Sequence, residues 1–276
     1  MKKWTSKGVL ALGLTAVLAL TSACSQESES GGEITPEKKT LVVGTDAAYA
    51  PFTYMDKGEI VGFDIDIVDA VMEEAGYDYE IKNMGWDGLF ESTRQAQLDL
   101  AICAITISDD RKQTFDFSSP YYQSTHMIMT KDDKKVDSAS DLKGMTVGVL
   151  NASTGQIAAE KVMGQNSPDL KKYESDAVSI MSLQNGAVEA VVADNTVINE
   201  YLKNNPDGKF NTLTDPDTFG SEFYGLMFPK DSEVAGDLDA ALKTIIENGT
   251  YANIYEKWIG AEPDTEVLQQ AAGQGA

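Results

Sequence analysis

Histidine and cysteine are nearly absent, and acidic residues outnumber basic ones two to one. The 276 residues hold one His, two Cys, 22 Lys+Arg and 44 Asp+Glu. His126, Cys24 and Cys103 cannot assemble a zinc framework, so no metal site or cofactor is implied. A formal charge of −22 repels phosphate backbones and anionic lipid, which excludes a broad nucleic-acid surface. The familiar enzyme signatures are missing as well: no G-x-S-x-G elbow, no GxxxxGK[ST] phosphate loop, no H-E-x-x-H and no G-x-G-x-x-G. Asp215-Pro216-Asp217 before Gly220 hints at a calcium loop, but Leu226 stands where the bidentate acid is needed. His126, in an apolar run with Met127, Ile128 and Met129, reads as a packed side chain rather than a base.

Charged residues at 24% and hydrophobic ones at 42% describe a globular chain, long enough for one large or two medium domains. Its first residues read as a targeting segment. Lys2, Lys3 and Lys7 precede the uncharged apolar run Gly8–Leu20, which is thirteen residues long. That is short for a membrane span and right for the core of a signal peptide. The run closes on Thr21-Ser22-Ala23-Cys24, which resembles a bacterial lipobox and makes Cys24 the expected lipidation site after removal of residues 1–23. The alternative is an ordinary signal with Cys24 incidental. Removal leaves 19 basic against 44 acidic residues, a formal −25. Residues 24–37 are polar, with Gly31-Gly32 and Pro36, and read as a flexible tether. With Cys24 acylated, Cys103 has no disulfide partner and is expected as a buried thiol.

Beyond the tether, strand and helix signals alternate, which argues an α/β class. Strands are expected at 40–44, 77–82, 98–105, 145–150 and 188–193. Helices are expected at 62–76, 88–97, 155–163 and 179–185, and through 234–258 with a break at Asn248-Gly249. Residues 264–276 read as a frayed tail. A weak internal symmetry relates Leu41-Val42-Val43-Gly44 to Thr146-Val147-Gly148-Val149, and Asp99-Leu100-Ala101-Ile102 to Glu189-Ala190-Val191-Val192. Two similar open sheets would aim their strand ends at a shared cleft, where such sheets bind ligands.

Four motifs then appear in order: Gly44–Phe52 with Val61–Asp66, Trp86–Leu89, Ala104–Tyr122, and Gly249–Trp258. Over roughly residues 40–260 the chain resembles the extracytoplasmic solute-binding proteins of polar amino-acid ABC transporters. The resemblance implies a two-lobed periplasmic-binding-protein-like fold, each lobe an open sheet flanked by helices. Lobe 1 would be discontinuous, residues 38–121 and 222–262, with 126–217 as lobe 2 and 263–276 as a C-terminal tail. Crossing segments near 121–125 and 218–222 would form the hinge.

Carried over to this sequence, the family's ligand set is that of a zwitterion clamp. Arg111, a planar and permanently charged fork, would hold the ligand α-carboxylate with Thr106. Ser153 and Thr154 open a helix whose free N–H groups suit the same anion, or are simply its cap. The family usually has Gly-Thr-Thr-Gly there, so Ala152 and Ser153 depart from its pattern. Asp194 would take the α-ammonium together with the Ala104 carbonyl. Tyr49 and Trp86 would sandwich the ligand side chain, with Asp46 at its far end. A carboxylate beside aromatic faces favours a cation, so arginine or lysine is expected, with glutamine as the competitor.

The reading is therefore a monomeric, non-enzymatic binding lipoprotein. It would sit on the outer face of the cell membrane, bind no nucleic acid and hand an amino acid to an ABC permease. A dehydratase-like enzyme or a ligand-sensing lipoprotein on the same scaffold are the alternatives from other classes.

Overall fold

Two mixed sheets dominate the computed structural model, which describes residues 39–275. The signal, Trp4, Cys24 and all of the tether lie outside the described residues. The first sheet runs in the order Asp78–Asn83, Thr40–Thr45, Leu100–Ala101, Met227–Pro229, Phe115–Phe117. The second runs Leu170–Tyr173, Val147–Leu150, Ala190–Asp194, Tyr122–Lys131, Phe210–Thr214. In each sheet the first three strands are parallel and the last two joins are antiparallel. The architecture is the expected two-lobed α/β fold.

The internal symmetry is real at the level of topology. Each lobe's parallel half is strand, helix, strand, helix, strand, with the first strand in the middle. The helices are Phe63–Ala75 and Trp86–Arg94 in the first lobe, and Thr154–Met163 and Asp176–Gln184 in the second. Equivalent loops therefore follow equivalent strands, and all open towards one cleft.

Local chemistry explains the elements that matter to that cleft. In Phe63–Ala75 the buried Ile67, Val68, Val71 and Met72 form one stripe at helical spacing, and Gly76 closes the helix in the left-handed region. Gly62 enters it at φ 144°, where a Cβ would lie 1.9 Å from the Phe52 carbonyl oxygen. Only glycine fits there. Asp64 on the first turn is fully buried; it accepts from the Ala104 N–H at 2.7 Å and from the Tyr121 hydroxyl at 3.0 Å. Burial pushes its carboxyl up to about 7, against the pull of those two donors.

The crossing between lobes is a two-stranded ribbon. The strand Tyr122–Lys131 pairs with Ser221–Tyr224 through its first four residues, then continues into the second sheet. One core cluster fills the first lobe around Leu41, Phe63 and Leu100, and two smaller ones pack the two faces of the second sheet.

Two expectations need correction. The strand expected over 98–105 is paired only at Leu100–Ala101, because the backbone turns at Ala104, φ 46°, where Asp64 captures its N–H. The tail expected to fray is a helix, Thr265–Gln274, capped by the Asp264 side chain on the Val267 N–H. Leu268 and Ala271, one turn apart, are buried, and Leu268 joins the first lobe's core. The calcium-like acids also have a structural role, since Asp215 caps Pro216–Phe219 and accepts from the Ala139 N–H.

Candidate functional site

A cleft between the two sheets brings together most of the residues singled out from the sequence. Tyr49, Trp86, Ala104, Thr106 and Arg111 line it from the first lobe, and Ser153, Thr154 and Asp194 from the second. Asp46 is the exception. It lines the adjoining cavity, which shares Trp86 with the first. Burial raises its carboxyl above the usual range, opposed by the N–H groups of Ala48 and Trp86.

Arg111 stands on the short helix Asp109–Lys112, whose N-cap Ser108 accepts from the Arg111 N–H at 3.3 Å. Its guanidinium donates to the Thr106 carbonyl at 2.9 Å and lies 4.9 Å from the Phe90 ring centre and 5.6 Å from that of Trp86. Burial pulls it down to about 10, while Glu222 and Asp194 push the other way. It remains a cation at neutral pH. Phe90, one turn beyond Trp86 on the same helix, is a supporting residue that sequence reasoning missed; the i, i+4 spacing from Trp86 was its signal.

Asp194 ends the strand Ala190–Asp194 and is 8% exposed. Its Oδ2 accepts from the Tyr49 hydroxyl at 2.6 Å and the Tyr224 hydroxyl at 2.5 Å. Its Oδ1 lies 3.5 Å from His126 Nδ1. The other imidazole nitrogen is 3.7 Å from Glu222 Oε1, so His126 is packed, as expected, but between two carboxylates. Glu222 was also missed. Its Oε2 accepts from Thr106 at 2.9 Å and from Thr154 at 2.8 Å, joining hydroxyls from the two lobes. Only the pairing of Ser221–Tyr224 with the crossing strand places it there.

Ser153 is the cap of Thr154–Met163: its oxygen accepts from the Gln156 N–H at 3.0 Å and its hydroxyl donates to the Leu150 carbonyl at 2.8 Å. Ala152 before it takes φ 55°, a left-handed angle that suits the glycine the family usually has there. The third missed residue is Asp176, the first residue of Asp176–Gln184. It lines the cleft and is 3% exposed, and its Oδ1 is buried without a hydrogen-bond partner among the described residues.

His126, Asp194 and Glu222 each offer an atom within 4.8 Å of the others, which is the spacing of a metal site. The hydroxyls of Tyr49, Tyr224, Thr106 and Thr154 already engage the two carboxylates. His126 turns a different nitrogen to each acid, so no single imidazole nitrogen faces both carboxylates as a shared metal ion would require. What the cleft offers chemically is a fixed cation, a fixed anion and two aromatic faces. That suits holding a zwitterion.

Comparison with known proteins agrees with that chemistry. The family model described as bacterial extracellular solute-binding proteins, family 3, matches residues 41–261. A probable histidine-binding protein of Neisseria gonorrhoeae is 36% identical over 265 residues, covering 95% of this chain and 97% of that protein. The arginine-binding extracellular protein ArtP of Bacillus subtilis is 33% identical over 267 residues, 95% of this chain and 100% of its own length. Among solved structures, the arginine-, lysine-, histidine-binding protein ArtJ of Geobacillus stearothermophilus is 54% identical. It superposes with a TM-score of 0.82 over 84% of this chain and 100% of its own.

Proposed function

Because the chain belongs to the bacterial extracellular solute-binding proteins of family 3, we propose that it is the substrate-binding lipoprotein of an ABC importer, capturing a basic amino acid and above all arginine. The observation that carries this is the order of charges along the cleft. Arg111 with Thr106 and Thr154 would take the ligand α-carboxylate, and Asp194 with the Ala104 carbonyl the α-ammonium. Tyr49 and Trp86 would flank the side chain, and Asp46, past Trp86, would draw it as a cation. The names of the relatives, which bind arginine, lysine or histidine, support the same ligand class.

Lobe 1 would comprise residues 38–121 and 222–262 and lobe 2 residues 126–217. A ligand held by both lobes favours the closed form by its differential affinity for it, and that form would dock on the permease. A lipid on Cys24 would hold the body at the outer face of the membrane by the 24–37 tether. A thermal-shift panel of the twenty L-amino acids plus ornithine and citrulline tests the reading. Arginine, lysine or ornithine should raise stability by about 3–4 kcal/mol at 100–1,000 times the dissociation constant. A larger shift with glutamine would replace the basic ligand by the neutral one.

A further inference from the structure

We propose that Asp176 is a specificity-determining residue of the cleft, its carboxylate receiving the cationic end of the bound amino acid's side chain from the second lobe. This inference rests on the basic-amino-acid reading and assigns a role that the zwitterion clamp leaves open.

The topology points to the position. In the first lobe, the second strand of the parallel half leads through Gly85 to Trp86, the first residue of its helix, and Trp86 lines the cleft. In the second lobe, the equivalent strand leads through Ser175 to Asp176, again the first residue of its helix and again lining the cleft. An aromatic face and a carboxylate thus stand at corresponding corners of the two lobes, the pair of surfaces that a guanidinium or ammonium group satisfies together.

Among the described residues, no hydrogen bond accounts for the burial of the Asp176 Oδ1 atom. Ser175 already caps the helix through the Val178 N–H, so Asp176 is not needed for capping. It is more than nine-tenths buried, and its Oδ1 has no donor among the described residues. Burial, and after it the neighbouring acids Asp194 and Asp46, push its carboxyl up to about 8. A buried carboxyl without a counter-ion costs stability unless something else uses it.

Charge counting gives the ligand class. The ionisable side chains lining the cleft are Arg111, Asp194 and Asp176, plus the Tyr49 phenol that donates to Asp194. With both acids ionised they sum to one negative charge. Glu222, behind Thr106 and Thr154, adds a further acid, so the site is net negative and favours an amino acid whose side chain brings positive charge. Asp46, beyond Trp86, adds a second acid from the opposite lobe on that side.

Binding calorimetry on wild type and Asp176→Asn with arginine, lysine and citrulline decides the matter, since citrulline keeps arginine's shape without its charge. The variant should lose about 30-fold or more for arginine and lysine, while citrulline is nearly unchanged. Asp176→Glu, which keeps the charge one methylene further out, should retain the preference for cations and move it towards the shorter ornithine. Arginine affinity equal to wild type in Asp176→Asn, or an equal loss for arginine and citrulline, overturns the role of Asp176 and leaves the basic-ligand reading standing. A wild type that prefers citrulline or glutamine to arginine overturns both.

Discussion

Tyr49 of the first lobe donates its hydroxyl proton to Asp194 of the second at 2.6 Å, across the cleft. The same oxygen takes the Tyr224 hydroxyl at 2.5 Å, so a carboxylate is held by two phenols and keeps its other oxygen for a further donor. Burial and the neighbouring Asp194 charge keep both phenols protonated. Removing one donor weakens the arrangement and removing the acceptor abolishes it. Tyr49→Phe should cost about 1.5–3 kcal/mol of ligand binding, as for a hydrogen bond to a charged group. Asp194→Ala should cost about 2–5 kcal/mol. Calorimetry that ranks Tyr49→Phe as the worse variant would contradict this order.

Arg111 is stacked as well as hydrogen-bonded, with Phe90 and Trp86 beside its guanidinium plane. Arg111→Lys keeps the charge but loses the planar fork and its stacking. Both Arg111→Lys and Arg111→Ala should lose about 2–5 kcal/mol of binding while remaining folded by circular dichroism. Near wild-type affinity in the lysine variant would mean that charge alone suffices.

Asp176 and Asp64 give the unliganded protein a definite pH dependence. Both carboxyls are raised by burial, from 3.8 to about 8 and about 7 respectively. Between the unfolded and folded values the native state binds more protons than the unfolded chain, so stability falls as pH rises. The midpoint of urea unfolding should therefore decrease from pH 5 to pH 8, and Asp176→Asn should flatten the upper part of that slope. A midpoint that rises over this range reverses the sign and refutes the assignment. Arginine binding near neutral pH should release a proton, visible as a buffer-dependent binding enthalpy.

Trp86 lines the cleft, whereas Trp258 lies in the helix Thr250–Ile259 and donates from its indole to Asp66 at 2.7 Å. A bound ligand should change tryptophan emission, and Trp86→Phe should remove most of the change. A full response in that variant would place the reporter at Trp258.

Ala152 pays for its left-handed backbone without any gain from its methyl group, which is exposed. Ala152→Gly should stabilise the protein by about 0.5–1 kcal/mol, the difference between the cost of the angle for an L-residue and the entropy of glycine. A lower unfolding midpoint in the variant would show that the turn gains rigidity from alanine that outweighs the angle.

Much of this was legible in the chain. Alternating apolar runs and helical spacing marked the strands and helices, and eight of the nine ligand-set residues taken from the family motifs line one cleft. Apart from Phe90, the residues that escaped notice are those whose meaning depends on partners distant in sequence. Glu222 becomes visible only when Ser221–Tyr224 pairs with Tyr122–Thr125 and brings it to Thr106 and Thr154. Asp176 reads locally as an ordinary helix-start acid, a place where acids are common, and only burial separates it from the rest. The C-terminal helix went unseen because Leu268 and Ala271 are a single apolar pair among glutamines and small residues, too little for a period to show.

The strand Met227–Pro229 lies inside the first sheet, between Leu100–Ala101 and Phe115–Phe117, though more than a hundred residues separate it from either. A chain emerging amino end first can finish its second lobe while the first still has a gap in its sheet. The early strands must wait, with an unpaired edge exposed, until the returning segment arrives. Such a pause exposes a nascent chain to mispairing and gives chaperones a defined interval in which to act. Chains cut short before Met227 should be captured in that state, with the second lobe formed and the first unable to close.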